Sequence, residues 1–497
     1  MDTPCGSEDG FAPSRERFEE VVSFLGAQKT AALSHAEVED HLDTAGRDLL
    51  RQLFQDHLDL RALAEARLEV VAGVKGAEHA NVEAGHSRAL TTIFGQVRVE
   101  RLAYRRRGSA NLHPADAVLN LPEEKHSHGL RRLAAIEASR GSFDAAAEAI
   151  GRATGTTMGK RQVEQLTARA AADIEEFYDT FVPEPGYNSD VLVLSCDGKG
   201  IVMRPDSLRP ATEKAAAKAT AKLDSRLSKG EKRYRKRLAE VGAVYDITPV
   251  PRRPTDIIGS NDEPTPAPVA KAKWVTASVV EDAAEVVARV FDEADNRDPR
   301  HQRQWIALVD GNNHQIERIG AEAAAREISV TIIIDLIHVM GYLWAAAWCF
   351  FAEGDAAAEK WVRAKALDIL DGNARQVAAG IRRRATASAL SATKRKKADA
   401  CATYLTNKAP YLDYPTALEA GWPIASGVIE GTCRYLVADR MDITGARWSV
   451  QGAEAVLKLR AVRSNGDFDD YYQFHLEQER RRVHESRYAN HIIPVAA

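Results

Sequence analysis

Five short apolar runs between residues 191 and 335 constrain this chain more than any other feature. They read VLVLSCDGKGIVM (191–203), AEVGAVYDITPV (239–250), WVTASVV (274–280), QWIALVDG (304–311) and ISVTIIID (328–335). Runs of this length, rich in β-branched residues and bounded by Gly, Pro or Asp, read as buried strands. Within the first, the Gly-flanked CDGKG reads as a turn between two apolar halves. AAEVVARVFDEA, between Val280 and Arg303, has helical spacing instead. Strands first, then helices alternating with strands, predict an α/β fold built on a mixed sheet.

The flanks read differently. Residues from about 15 to 75 carry helical periodicity, with the leucines of DLLRQLFQDHLDLRALAEARL and Phe54 on one stripe. Residues 88–107 alternate, and Gly95-Gln96 is the expected turn of a β-hairpin ending in Arg105-Arg106-Arg107. Between Ser127 and about Ala172 the pattern is helix, short turn, helix. Ser142 is a candidate cap for FDAAAEAIGRAT, and Gly155-Thr156-Thr157 precedes a helix opened by Lys160 and Arg161. A helix-turn-helix would send that last helix into a major groove, although a plain Ala-rich bundle leaves the same pattern.

Two inserts interrupt the strands. Residues 213–238 are dense in cations, including Lys232, Arg233 and Arg235, and residues 251–272 are Pro-rich and read as a loop. The domains expected are therefore an N-terminal helical region (1–84) and a hairpin plus helix-turn-helix-like DNA-binding region (85–182). A first catalytic part (183–340), a helical insertion (341–422), the remaining catalytic helix (423–465) and a tail (466–497) follow.

With Lys+Arg 67 against Asp+Glu 71 the formal charge is −4, so a nucleic-acid partner must be held by local patches such as Arg382–Arg384 and Lys394–Lys397. The five cysteines form no C-x-x-C pair, which argues against a zinc ribbon or a disulfide framework. The acidic, polar N-terminus does not read as a signal peptide. Residues 328–352 are long and apolar enough to raise the question of a membrane span. Asp335 and His338 inside them, and the change from β-branched to Trp/Ala-rich sequence, favour a strand followed by a helix, hence a cytoplasmic protein.

Two acids stand where chemistry is expected. Asp197 follows VLVLSC and Asp310 follows WIALV, each trailed by glycine. Acids at the carboxyl ends of neighbouring strands lie on the rim where open α/β sheets bind ligands. Two carboxylates side by side repel unless a cation lies between them, and hard oxygen donors favour Mg²⁺ or Mn²⁺. A turn-forming Asp-Gly is the competing reading for each alone. A third acid, Glu430, lies in a helical segment for which Ser426 is a candidate cap, with Arg434 four residues on. Glu454 and Asp442 are the other candidates for third acid. Arg440, Arg447 and Trp448 follow as a basic and aromatic set suited to phosphates and base stacking, with a core role for Trp448 the alternative.

The order Asp197, Asp310, Glu430 on strand, strand and helix resembles the DDE catalytic core of a ribonuclease H-like transposase. SGVIEGTCRYLVADRMDITGARWSVQGAEAVLKLRA resembles bacterial insertion-sequence transposases of the ISKra group, as do VRVERLAYR, LNLPEE and SFDAAAEAIG. The resemblance covers roughly residues 85–465. It implies a ribonuclease H-like mixed sheet with a helical insertion, preceded by a mostly helical region with a β-hairpin. It also implies metal-dependent cleavage and strand transfer at terminal inverted repeats, by two Mg²⁺ (or Mn²⁺) ions about 3.5–4 Å apart held by the three acids. Asp335-Leu-Ile-His338 looks like the D-x-x-H element of Mutator- and hAT-like transposases, which implies that His338 touches a phosphate; a His bonded within a strand–helix junction is the alternative. Arg434, Arg440, Arg447, Trp448, Lys160, Arg161, Lys232, Arg233 and Arg235 are the expected DNA contacts. Partners would be terminal-repeat and target DNA and further copies of the chain on that DNA, near the nucleoid. An inactive DNA-binding descendant, or a nuclease of the same fold that cuts without joining, are the competing classes. Asp197 and Asp310 stand 113 residues apart (310 − 197), more than the strands between them need, so the two inserts fill the gap.

Overall fold

In the computed structural model, which describes residues 10–218, 235–259, 263–443 and 445–494, the five apolar runs pair into one sheet. Its strands are β1 (Val191–Val202), β2 (Lys236–Ile247), β3 (Ala270–Ser278), β4 (Trp305–Val309) and β5 (Val330–Ile334). Their order across the sheet is β3-β2-β1-β4-β5. The first three are antiparallel, and β1, β4 and β5 are parallel. The fold is therefore α/β with a mixed sheet. The crossover helices α1 (Ala283–Arg297) and α2 (Asn313–Ala325) join β3 to β4 and β4 to β5, as parallel pairing requires.

One expectation about β1 is corrected. CDGKG does not turn: the strand runs straight through it, paired residue by residue with β2 from Val191↔Ile247 to Val202↔Lys236. The glycines make room for β2 side chains. A Cβ on Gly198 would stand 2.8 Å from Leu238 Cδ2, and one on Gly200 2.9 Å from Lys236 Cδ. Gly242 likewise admits α1, with Val290 Cγ2 only 2.4 Å from where its Cβ would be.

The helical insertion starts directly after β5. It comprises α3 (Leu336–Phe350), α4 (Ala356–Leu370), α5 (Ala374–Ala387) and α6 (Ala392–Lys408). Buried alanines, among them Ala346, Ala347, Ala366, Ala378 and Ala402, let these helices approach closely. Arg384 lies over the Phe350 and Phe351 rings at 4.7 and 4.5 Å, while Arg382, Arg383, Lys394, Lys396 and Lys397 are exposed. The chain then returns to the sheet with α7 (Gly427–Thr432), a π-helical stretch Cys433–Ala438, and α8 (Val450–Asn465). Within the basic segment a helix covers Pro210–Lys218 and Lys236 and Arg237 belong to β2; Lys232 and Arg233 lie outside the described residues. The Pro-rich segment is not all loop, since β3 begins at Ala270 and Pro254–Ile257 is helical. Among the described residues, no helix is long and apolar enough to cross a membrane.

Residues Phe181–Gly466 cluster as one unit and Met1–Thr180 with Asp467–Ala497 as another. In the latter, the helix expected to about residue 75 ends at Leu63. Glu65 accepts the Leu102 amide at 2.8 Å and the Leu68 amide reaches the Tyr104 hydroxyl at 2.8 Å, so the chain is drawn onto the hairpin. The hairpin pairs Asn81–Thr92 with Gly95–Arg105, and its turn is Ile93-Phe94 rather than Gly95-Gln96. Thr92 Oγ1 sets that turn, accepting the Phe94 amide and donating to the Gly95 carbonyl. Ser127 and Ser142 cap His128–Arg140 and Phe143–Thr154, and Gly155 (φ 69) leads toward Lys160–Ala170. Leu130, Ala134, Ala138, Ile150, Val163 and Leu166 form the core of these three helices.

The tail helix Phe468–Glu479 is held in this unit by a buried charge network. Arg131, with no exposed surface, donates to Glu124 and Glu479 at 2.6 Å each. Asp173 accepts from His475 at 2.6 Å and from Arg482 at 2.8 Å. Burial alone would raise the Asp173 pKa, but those donors outweigh it and hold it at about 2. Because the folded value is depressed, this stabilisation is complete above the unfolded value of about 4 and fades as pH falls through the folded one. Asp173→Asn is therefore expected to cost about 3–5 kcal/mol at neutral pH. In urea titrations, the difference from the parent should shrink below about pH 4; a difference independent of pH would contradict the network.

Candidate functional site

The parallel ladder between β1 and β4 aligns Leu192 with Trp305, Val193 with Ile306 and Leu194 with Ala307. That offset is 113 residues (305 − 192), the same as between Asp197 and Asp310. Carried on at that register, the two acids would be level, three residues beyond the last paired residues, Leu194 and Ala307. Ser195 Oγ still crosses to the Leu308 carbonyl at 2.9 Å, and the Gln315 amide reaches the Cys196 carbonyl. These side chains satisfy backbone that the parting strands leave unpaired.

Each acid is oriented by its surroundings. Asp197 Oδ1 accepts the Gly198 amide at 2.6 Å and Oδ2 the Cys433 thiol at 3.3 Å. Asp310 Oδ1 accepts the Asn312 amide at 2.7 Å, and its carbonyl takes the Tyr404 hydroxyl at 3.1 Å. Cys433 lies three residues beyond Glu430, so its thiol ties the Glu430-bearing segment to β1. Burial, joined by the charges of Asp197 and Glu430, pushes that thiol well above the usual range. Burial and the Asp197 charge also raise Glu240, although Arg209 opposes them. Burial, Tyr342 and the charges of Asp310 and Asp335 raise Tyr404. In all three, burial is the leading cause and nearby acids add to it.

Asp335 and His338 join this edge. Asp335 is completely buried at the start of α3, where Oδ1 accepts the Ile337 amide at 2.7 Å. Its Oδ2 accepts the Ser426 hydroxyl. Ser426 therefore does not cap α7 with its side chain as the sequence suggests; its hydroxyl is instead turned onto the Asp335 carboxylate, to which it donates. His338 Nε2 stands 3.9 Å from Glu430 Oε1, with both side chains partly open at 40% and 45%. Ligand atoms of Asp335, His338 and Glu430 all lie within 4.8 Å of one another, and among the described residues this is the set of three that meets that spacing. Asp197 and Asp310 are not in it.

The remaining expected site residues divide by burial. Arg440 and Trp448 are corrected to core positions. Trp448 is 5% exposed, donates Nε1 to the Met441 carbonyl at 2.9 Å, and pairs its backbone with Val202 and Arg204. The Arg440 guanidinium stacks 4.7 Å over its ring, and burial with Arg460 nearby lowers its pKa to about 10. Neither side chain is presented to a phosphate or base. Arg434 is exposed but pairs with Asp439 at 3.9 Å rather than with Glu430, because the π-helical stretch shifts side-chain register by about one position. Arg447, Lys160 and Arg161 are exposed, Lys160 standing 3.5 Å from Asp144. Arg235 is half-buried, and its carbonyl accepts the Met203 amide. Of the alternative third acids, Asp442 is exposed, and Glu454 is committed to Ser278 Oγ and the Val279 amide at 2.7 and 2.8 Å.

Sequence reasoning did not anticipate Cys433, Ser426 as partner of Asp335, or Tyr404. The S-x-x-x-E spacing was visible but read as a cap. No protein-family model matches the chain, and no curated protein matches it.

Ser426→Ala leaves a buried carboxylate oxygen without its hydroxyl donor. A loss of about 1–3 kcal/mol is expected, seen as a lower urea midpoint at unchanged slope; an unaltered midpoint would show that the bond stabilises nothing.

Proposed function

We propose that the chain is a DDE transposase with a ribonuclease H-like core, cutting DNA at the ends of an insertion sequence and joining the freed 3′ ends to target DNA. The observation that carries this reading is the shared 113-residue offset. Continued past Leu194 and Ala307, that register would bring Asp197 and Asp310 level on adjacent parallel strands, and the Glu430 segment is bonded to Asp197 through Cys433. Three antiparallel strands continued by two parallel ones, with acids at the first and fourth, support the finer assignment of the sheet.

The donor chemistry fits hard divalent cations. Among the described residues, neither Asp197 nor Asp310 has a Lys or Arg within ion-pair distance, and Glu430 faces only His338. Asp197, Asp310 and Glu430 would hold Mg²⁺ or Mn²⁺, which would supply a lowered pKa for an attacking water or 3′-hydroxyl and charge stabilisation for the leaving oxygen. The chain's own groups do the rest. The Gly198 amide and Cys433 thiol hold Asp197 in one rotamer, and Asn312 does the same for Asp310. Cys433, its thiol raised by burial, serves as a donor that positions Asp197. The exposed Lys160, Arg161, Arg447 and the α5–α6 cations offer phosphate contacts from separate parts of the chain. Holding two DNA ends together favours at least a dimer on DNA.

Charge stabilisation of several kcal/mol, at about 1.4 kcal/mol per tenfold in rate, makes a loss of about 10³-fold the expected effect of Asp197→Asn. The assay is Mg²⁺-dependent nicking of terminal-repeat DNA, with circular dichroism and DNA affinity near parental. Parental nicking by this variant would refute the assignment, and nicking without strand-transfer products would mark a nuclease. Affinity for that DNA should also drop by about 10³–10⁵ between about 50 and 200 mM salt if six to ten phosphates are contacted; a flat response in a filter-binding series would contradict the DNA partner.

A further inference from the structure

We infer that Asp335, His338 and Glu430 form a divalent-cation site of mixed nitrogen and oxygen donors, which selects transition metals such as Zn²⁺ over Mg²⁺. This site shares Glu430 with the proposed catalytic acids but stands whether or not the chain cuts DNA.

The geometry is close to what coordination requires. Metal–ligand bonds of about 2.0–2.2 Å put neighbouring ligand atoms about 3–3.5 Å apart. The three donors already lie within 4.8 Å of one another, with His338 Nε2 and Glu430 Oε1 at 3.9 Å. Rotamer adjustments of about 1–2 Å in two partly exposed side chains would close the set. Their exposure also leaves a path for the ion and room for water to complete its shell.

The supporting structure is built for position. Asp335, completely buried, is held by the Ile337 amide and the Ser426 hydroxyl, hydrogen bonds of the kind that orient metal-ligating carboxylates. The Ser426–Asp335 bond and the Leu336 amide donating to the Ile424 carbonyl at 2.8 Å tie together the starts of α3 and α7. His338 and Glu430 sit on the first turns of those helices and so face each other. Among the described residues, no Lys or Arg forms an ion pair with either carboxylate. Two acids and one imidazole therefore meet with no resident cation of the chain's own.

The donor set decides the metal. Carboxylates alone suit Mg²⁺, Ca²⁺ and Mn²⁺, whereas imidazole suits zinc, copper, iron and nickel. Replacing one oxygen by His338 nitrogen shifts preference toward Zn²⁺, which accepts both donor types.

The test is calorimetric titration of the full chain, stripped with chelator, with Zn²⁺ in the presence of millimolar Mg²⁺. One Zn²⁺ per chain is expected, weakened at least about tenfold by His338→Ala and by Glu430→Gln, and unchanged in Asp197→Asn. Both tested side chains are partly exposed, so the variants are expected to keep the parental circular dichroism. Parental Zn²⁺ affinity in His338→Ala, or displacement of Zn²⁺ by Mg²⁺ in the parent, would overturn the site. Zn²⁺ binding by a parental chain that, when free of Zn²⁺, fails to nick terminal-repeat DNA in Mg²⁺ would refute the transposase reading and leave this site standing.

Discussion

The parallel ladder between β1 and β4 is the constraint on which the candidate site depends. Side chains alternate faces along a strand, so a slip of one residue would turn one acid away from the other. Burial prevents that slip. Leu192, Val193, Ile306 and Ala307 have no exposed surface, and Trp305 is anchored by its Nε1 donating to Asp298 at 2.9 Å. At the same end of the sheet, Arg303 spans Asp246 on β2 (2.7 Å) and the Asp190 carbonyl before β1 (3.0 Å). Register is thus locked at one end of the strands, and the carboxylates stand at the other.

The functional edge gathers negative charge that the described part of the chain does not neutralise with Lys or Arg ion pairs. Elsewhere several buried charges are paired: Arg297 meets Glu293 at 2.7 Å, and Arg131 lies between Glu124 and Glu479. Asp197, Asp310 and Glu430 instead face amides, a thiol and an imidazole, and the proposed cation site rests on that difference. Local hydrogen bonds fix the rotamers beforehand, so little ordering remains for binding.

Much of this was legible in the sequence where a local pattern determined the outcome. The β-branched runs became the five strands because strands buried on both faces need continuous apolar sequence. Ser142 capped the helix it precedes, since an N-cap is satisfied within three residues. What stayed hidden depended on distant partners. Gly198 and Gly200 looked like a turn, but their role is set by Leu238 and Lys236 on the neighbouring strand. Trp448 and Arg440 looked like a nucleic-acid contact until the Val202 and Arg204 backbone, far away in the chain, buried the tryptophan. Ser426 satisfied an acid ninety-one residues earlier instead of its own helix. At the candidate site, the places of Asp197 beyond the β1–β4 ladder and of Asp310 after β4 were legible, whereas the approach of Asp335 and His338 to Glu430 required the helical insertion to fold back.

The most direct measurement is a crystal structure grown with Mn²⁺ and read by anomalous scattering. The account requires manganese peaks coordinated by Asp197 and Asp310 at the end of the β1–β4 ladder. Clear density for both side chains with no anomalous peak between them would contradict it.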